Sequence, residues 1–318
     1  MKSKIVPLKG DASFRTFYRI YKNKKSKIII LSKKEKYKNL IAYSAINQYL
    51  RKNKILTPKL YSHNYKKGIF VIEDFGDLSF YKILLKKKNK FNTYKKLVDL
   101  LIKIQSIKPK SKIKKINKGS YIIQKYSNKY LQNESNLFFS WYLPIFFNKK
   151  KTTKIKKEVN KILFNLYKKK NFTNSYFVHR DYHSQNLLAF GNKIGVIDSQ
   201  DALIGNPAYD LVSLIDDVRI KTSIKLKNQV LNYYLKKFKG NQEKFLEDFN
   251  ILSVQRNMKI IGIFSRLFKR DNKKNYAYLI PHAWKLLEMR IKAKKLKYLK
   301  KILDNYLNKS IRKKIIYK

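Results

Sequence analysis

One carboxamide and two carboxylates stand at a spacing that could carry phosphoryl transfer. Asp181 closes the tripeptide His179-Arg180-Asp181, Asn186 follows five residues later, and Asp198 comes after a short turn and an apolar run. Such a set supplies one group to orient an attacking hydroxyl and take its proton, and two hard-oxygen donors for magnesium. The surrounding stretch, Phe177–Asp210, holds few lysines in a chain that carries 75 Lys+Arg against 20 Asp+Glu. A segment that escapes so strong a bias is constrained by chemistry. Asp181 is the expected catalytic base, and Asn186 and Asp198 the expected metal ligands.

Blander roles compete for these residues. A lone aspartate in a turn more often caps a helix, but a cap does not explain Asn186 and Asp198 at these distances. Asp198 follows Val196-Ile197, so it is expected at a strand end facing phosphate. His179 and His183 stand four apart, which on one helix face could bind zinc. No third ligand and no HExxH accompany them, and an aspartate-rich loop suits magnesium better. His179 is read as an anchor of the loop. His183 either touches phosphate or substrate, or supports the loop.

The phosphate side of such a site needs a covering loop and a cation. Gly10–Phe14 is the candidate loop, with Gly10, Asp11, Ser13, Phe14 and the following Arg15 as nucleotide contacts; the chain has no GxGxxG and no Walker A sequence. The strand lysine usual in kinases is missing. The equivalent apolar run, Ile28–Leu31, ends in Ser32, and the helix after it has no acid beyond Glu35. Arg15, Arg19 and Lys33 are the cations that could replace it. Glu73-Asp74-Phe75-Gly76-Asp77 follows an apolar strand and reads as a hinge, where Glu73 and Phe75 would meet the adenine edge; a plain linker is the alternative.

These residues need a frame. Gly10–Ile20 reads as extended after a turn, Ile28–Leu31 as a buried strand, and 35–52 as a helix with Ile41, Ala45, Ile46, Tyr49 and Leu50 on one face. Leu60–Tyr61 and Ile69–Ile72 read as strands around a polar turn. Beyond Gly76-Asp77 the periodicity becomes helical, as at Leu97, Leu100, Leu101 and Ile104. Ser106–Gly119 reads as a lysine-rich connector, and Tyr121–Phe147 and Lys154–Lys168 as helices. Within the central stretch, Asn186–Ala189 and Gly195–Ile197 read as short strands. Helices follow at 211–218, 223–238, 244–268 and 276–306. The expected fold is α+β, a protein-kinase-like two-lobe arrangement with a nucleotide-binding lobe at 1–76 and a helical lobe at 77–318.

Composition sets outer bounds. At 318 residues the chain can bury a real core. It has no cysteine, which excludes disulfides and thiolate chemistry and fits a cytoplasmic setting. No apolar run reaches the ~20 residues of a membrane helix, and the amino terminus lacks the apolar core of a signal peptide. The net charge of +55 is extreme. Lysine, asparagine, isoleucine, tyrosine and phenylalanine rise together, as AT-rich codons would produce, and the lysines spread over almost every polar position. This favours compositional bias over a nucleic-acid surface.

Together the residues resemble a known group, the aminoglycoside phosphotransferase and choline kinase-like superfamily. Within it the chain looks most like bacterial anomeric sugar kinases acting on N-acetylmuramate and N-acetylglucosamine. The resemblance rests on GDASFRTFYR at 10–19, IEDFGD at 72–77, ESNLFFSWYLP at 134–144, VHRDYHSQNL at 178–187, GVIDSQDALIGNPAYDLVSL at 195–214 and QRNMKIIGIFSRLFKRDNK at 255–273. It implies ATP and Mg2+, a sugar 1-phosphate product used in peptidoglycan recycling, and a monomeric cytoplasmic enzyme with no nucleic-acid or membrane partner. It also suggests Glu134, Trp141, Arg256, Asn257 and Arg266, with His183, as sugar-binding residues. Ser199 stands where this group usually has phenylalanine. The alternatives are an aminoglycoside- or choline-type phosphotransferase, and a non-enzymatic pseudokinase or basic nucleic-acid-binding protein.

Overall fold

The computed structural model describes residues 4–8, 15–23, 25–32, 38–115, 119–168 and 174–316. The chain divides into two compact units, one of Met1–Lys125 with Tyr176–Ile204 and the other of Tyr126–Ser175 with Gly205–Lys318. Strands and helices are numbered along the chain.

The first unit opens with an antiparallel sheet of β1 (Lys4–Leu8), β2 (Arg15–Lys22), β3 (Lys25–Ser32), β4 (Leu60–Asn64) and β5 (Ile69–Glu73), in the order β1-β2-β3-β5-β4. Alternation in β3 turns Ile28, Ile30 and Ser32 inward. The helix α1 (Lys38–Lys52) covers that face, so that Leu40 and Tyr43 close a core with Ile28, Ile30, Phe70 and Ile72. Each such side chain contributes roughly 1.5–3 kcal/mol by leaving water. The register sets Arg15 of β2 opposite Ser32 of β3. Helices α2 (Phe80–Lys86) and α3 (Phe91–Gln105) follow, then the hairpin of β6 (Lys112–Lys114) and β7 (Ser120–Ile122).

That hairpin corrects the reading of Ser106–Gly119 as a connector and of Tyr121 as the start of a helix. Ile113 is buried between two exposed lysines, and this period-two alternation is a strand signal that the surrounding lysines obscure. The unit is completed by β8 (Tyr176–Val178), β9 (Leu187–Phe190), β10 (Lys193–Val196) and β11 (Leu203–Gly205). Strand β9 pairs with β10, and β8 with β11.

The second unit is helical: α4 (Asn128–Leu137), α5 (Lys149–Lys168), α6 (Ala208–Ile215), α7 (Ile224–Leu235), α8 (Gln242–Lys269), α9 (Ile280–Arg290), α10 (Lys297–Tyr306) and α11 (Lys309–Lys313). Ser127 caps α4 by accepting from the Tyr130 amide. The long α8 is buried along most of its length and lies against α4, where a Cβ at Gly262 would run into the backbone of Leu137. Residues 276–306 are not one helix. Pro281 occupies the first turn of α9, where its missing amide costs nothing, and the chain turns again at Ile291–Ala293 before α10. Among the described residues, no helix is long and apolar enough to cross a membrane.

Candidate active site

The His179–Asn186 loop follows β8 and is tied down by its own backbone. The Asp181 carbonyl accepts from the His183 amide at 2.9 Å, and the His183 carbonyl accepts from the Asn186 amide at 2.9 Å. Arg180 adopts φ 74°, a left-handed conformation disfavoured for a side chain of its size. Its guanidinium reaches Asp201 at 3.9 Å. Tyr182 is buried and donates to the Leu97 carbonyl of α3 at 2.8 Å, which anchors the loop from beneath.

The β9–β10 hairpin brings the two proposed metal ligands to the same end. Val196 pairs with Leu187, and the next amide, that of Ile197, donates to the Asn186 carbonyl at 3.0 Å. The Ile197 carbonyl lies 3.0 Å from Nε2 of His179, a hydrogen bond that ties the loop to the end of the hairpin. Asp198 then turns left-handed at φ 65°. Gly195 is required just before this end, because a Cβ there would come within 2.5 Å of the Phe75 ring.

The donor set fits magnesium. Asn186 gives Nδ2 to the Asp181 carbonyl at 3.0 Å and lies 3.4 Å from Nε2 of His183, which leaves its amide oxygen for a cation. The Asp198 side chain is 37% exposed. Magnesium uses one or two protein oxygens and takes the rest from phosphate and water. No cluster of three or more His, Asp or Glu that could hold a metal by itself occurs among the described residues.

Three residues compete for the role of phosphate-side cation. Arg19 is engaged by the segment after β5: Nε donates to Asp74 at 2.6 Å and Nη1 to Asp77 at 2.6 Å. The hydrogen bonds it donates to Asp77 and then to Asp74 hold its guanidinium far above its usual range, against the opposing effect of burial. Lys33 lies outside the described residues, as do Gly10, Asp11, Ser13, Phe14 and Glu35. Arg15 is buried, and its Nη2 lies 2.7 Å from Oδ1 of Asp198, with Nη1 3.2 Å from Oε1 of Gln200. Gln200 closes the ring by donating to Asp198 at 3.0 Å. At the end of β5, Glu73 accepts from the Lys59 amide at 3.0 Å, while the buried Phe75 ring meets Phe190 at 4.8 Å between centroids.

The other candidates lie in the second unit. Glu134 is buried and accepts from Lys259 at 2.9 Å, Gln255 at 2.9 Å, Tyr126 at 3.2 Å and Tyr209 at 3.4 Å. Trp141 is half-buried. Asn257 is fully buried and donates back to Ser253 of its own helix at 2.8 Å. Arg256 is also buried, and Arg266 is half-buried, its guanidinium pulled down by burial and by Arg270. The polar cluster thus gathers Glu134 with Gln255 and Lys259 rather than with Arg256 or Asn257. Gln255 and Lys259 share one helix face four residues apart, a spacing present in the sequence but hidden by the abundance of lysine.

The model of the phosphotransferase enzyme family APH matches residues 4–246. The chain belongs to that family. It is an enzyme, an ATP-dependent phosphotransferase. It is 27% identical to an N-acetylmuramate/N-acetylglucosamine kinase of Caulobacter vibrioides, over 84% of this chain and 74% of that one. A protein of the same name from Pseudomonas aeruginosa is 25% identical over 90% and 83%. The crystal structure of the aminoglycoside phosphotransferase APH(2'')-Ib, ADP-bound, superposes with a TM-score of 0.59 at 16% identity, covering 90% of this chain and 92% of that one. The fold is therefore the two-lobe α+β fold of these phosphotransferases, as the sequence led us to expect.

Proposed function

We propose that the chain transfers the γ-phosphoryl group of ATP to the anomeric C1 hydroxyl of an N-acetylated sugar, N-acetylmuramate or N-acetylglucosamine. The observation that carries this reading is the joining of Asp181, Asn186 and Asp198 by the Asn186–Asp181 and Ile197–Asn186 hydrogen bonds, in a chain whose relatives are named N-acetylmuramate/N-acetylglucosamine kinases. In this reading the Asp181 carboxylate accepts a hydrogen bond from the C1 hydroxyl and takes its proton as the new O–P bond forms. The bond from the γ-phosphorus to the bridging oxygen breaks, and ADP leaves.

Asn186 and Asp198 would hold Mg2+, which when bound neutralises phosphate charge. Arg15, beside Asp198, is the proposed phosphate-side cation in place of the missing strand lysine. Residues 10–14 and the Glu73–Phe75 hinge would complete the nucleotide site. Catalysis then rests on positioning and charge neutralisation rather than on covalent chemistry. The sugar contacts proposed are Glu134, Trp141, Arg256, Asn257, Arg266 and His183. Lys259 already neutralises Glu134 at 2.9 Å, which disfavours a cationic acceptor such as choline or an aminoglycoside. The proposed physiology is peptidoglycan recycling in the cytoplasm by a monomer.

Purified protein with ATP, Mg2+ and a panel of sugars and amino alcohols tests the reading, with the phosphorylated position assigned by phosphorus NMR. Phosphate at C1 of an N-acetylhexosamine is expected. Turnover confined to amino alcohols would refute the sugar assignment. Asp181→Asn is expected to lower kcat by about 10²–10⁴-fold, and undiminished turnover would remove Asp181 from its role.

A further inference from the structure

The strand cation of a kinase is usually held by a carboxylate on the helix packed against the sheet, but α1 contains no acidic residue. What α1 offers instead is Asn47. Its Oδ1 accepts from Oγ of Ser199 at 2.6 Å, and both side chains are buried, 3% and 0% exposed. Ser199 directly follows Asp198, whose φ of 65° is a conformation that L side chains rarely hold without support.

The support comes from both sides. Ile197, before Asp198, is fixed through its amide by Asn186 and through its carbonyl by His179. Ser199, after it, is fixed by Asn47 and opens a tight turn in which its carbonyl accepts from the Ala202 amide at 3.0 Å. The neutral Asn47–Ser199 bond therefore ties α1 to the backbone of Asp198. A phenylalanine at 199 could not make it.

We propose that Asn47 is a positioning residue: acting through Ser199, it holds the Asp198 backbone so that the carboxylate is presented to the divalent cation of the nucleotide. The inference rests on the reading of Asp198 as a metal ligand.

Calorimetric titration of ADP with and without Mg2+ tests it on the wild-type protein, Ser199→Ala, Asn47→Ala and the double variant. The gain in ADP affinity that Mg2+ brings should fall about 5- to 30-fold in each single variant, the range one buried hydrogen bond supplies. The double variant should lose no more than either single, and metal-free ADP binding should be unchanged. Lower melting temperatures with an intact Mg2+-dependent gain would reduce the bond to a structural role and overturn the proposal. So would losses that add in the double variant. Ser199→Ala removes a single oxygen atom, so the test stands even where Asn47→Ala does not fold. Absence of any Mg2+-dependent gain in the wild type would instead strike Asp198 itself, and the inference would fall with that reading.

Discussion

Arg15 Nη2 and Asp198 Oδ1 lie 2.7 Å apart, although 183 residues separate them in the chain. The pair is mostly dry on the arginine side, which is 6% exposed. The cross-strand register explains how Arg15 could take the proposed cation role where β3 has no lysine at that level. It stands opposite Ser32, at the level where the strand cation would project. Lys27, the nearest lysine of β3, is exposed and lies over the Tyr61 ring at 4.6 Å.

Arg15→Ala is therefore expected to lower kcat/KM for ATP by about 10–100-fold, the equivalent of about 1.4–2.8 kcal/mol. Arg15→Lys should recover only part of it, because an ammonium lacks the fork that meets Asp198 and Gln200 together. Steady-state kinetics with ATP as the varied substrate check this. Equal activity of the alanine variant would remove Arg15 from the phosphate side.

Much of this site is legible in the amino-acid sequence itself. The spacing of Asp181, Asn186 and Asp198 and the two short strands around residues 187–196 emerge from local order, and local order is what periodicity and turn chemistry report. Arg15 is one of three cations among which the sequence does not choose. The choice depends on Arg19 being occupied by Asp74 and Asp77, a fact of tertiary contact. The roles of Asn47 and of the Gln255–Lys259 pair are hidden in the sequence for the same reason. Their partners lie far away along the chain, and a lysine in this composition carries almost no information.

The Glu134 cluster makes a separable prediction. Lys259 is only 14% exposed and has Glu134 at 2.9 Å. Glu134→Gln removes the countercharge while keeping acceptor and donor groups for Gln255, Tyr126 and Tyr209. If the cluster shapes the acceptor site, KM for the sugar should rise while KM for ATP stays unchanged. If the cluster is only internal support, stability should fall by roughly 3–5 kcal/mol, the cost of an uncompensated buried charge, with both KM values intact. Denaturant melts run beside the kinetics separate the two outcomes.

Asp216 is fully buried between two cations, Lys227 at 3.1 Å and Arg290 at 3.0 Å, with Ser253 donating at 2.8 Å. Burial alone would push its carboxyl up. The charges of Lys227 and Arg290, with hydrogen bonds from Arg290 and Ser253, bring it below the ordinary range. A depressed carboxylate contributes stability above its unfolded pKa and loses it as pH falls through the folded value. Asp216→Asn should cost about 3–5 kcal/mol at neutral pH, and the deficit should shrink on acidification. Urea denaturation across pH 3–7 reads it, and a deficit constant with pH would contradict the assignment.

Asp248 carries the opposite sign. It accepts from Nδ2 of Asn206 at 2.7 Å, and that asparagine in turn accepts from the Ala208 amide, which shapes the entry to α6. Burial pushes the Asp248 carboxyl up to about 6, further than the Asn206 hydrogen bond pulls it down. The folded chain therefore keeps a proton that the unfolded chain releases from about pH 4 upward. Its contribution is complete below the unfolded pKa and is lost as pH rises through about 6, with a slope of at most ~1.4 kcal/mol per pH unit for one proton. Asp248→Asn preserves an acceptor for Asn206 and cannot ionise. The variant should match the wild type near pH 4 and become the more stable of the two above pH 6. Melting temperatures of both proteins from pH 4 to 8 give the comparison, and parallel curves over that range would show that Asp248 does not titrate as its burial implies.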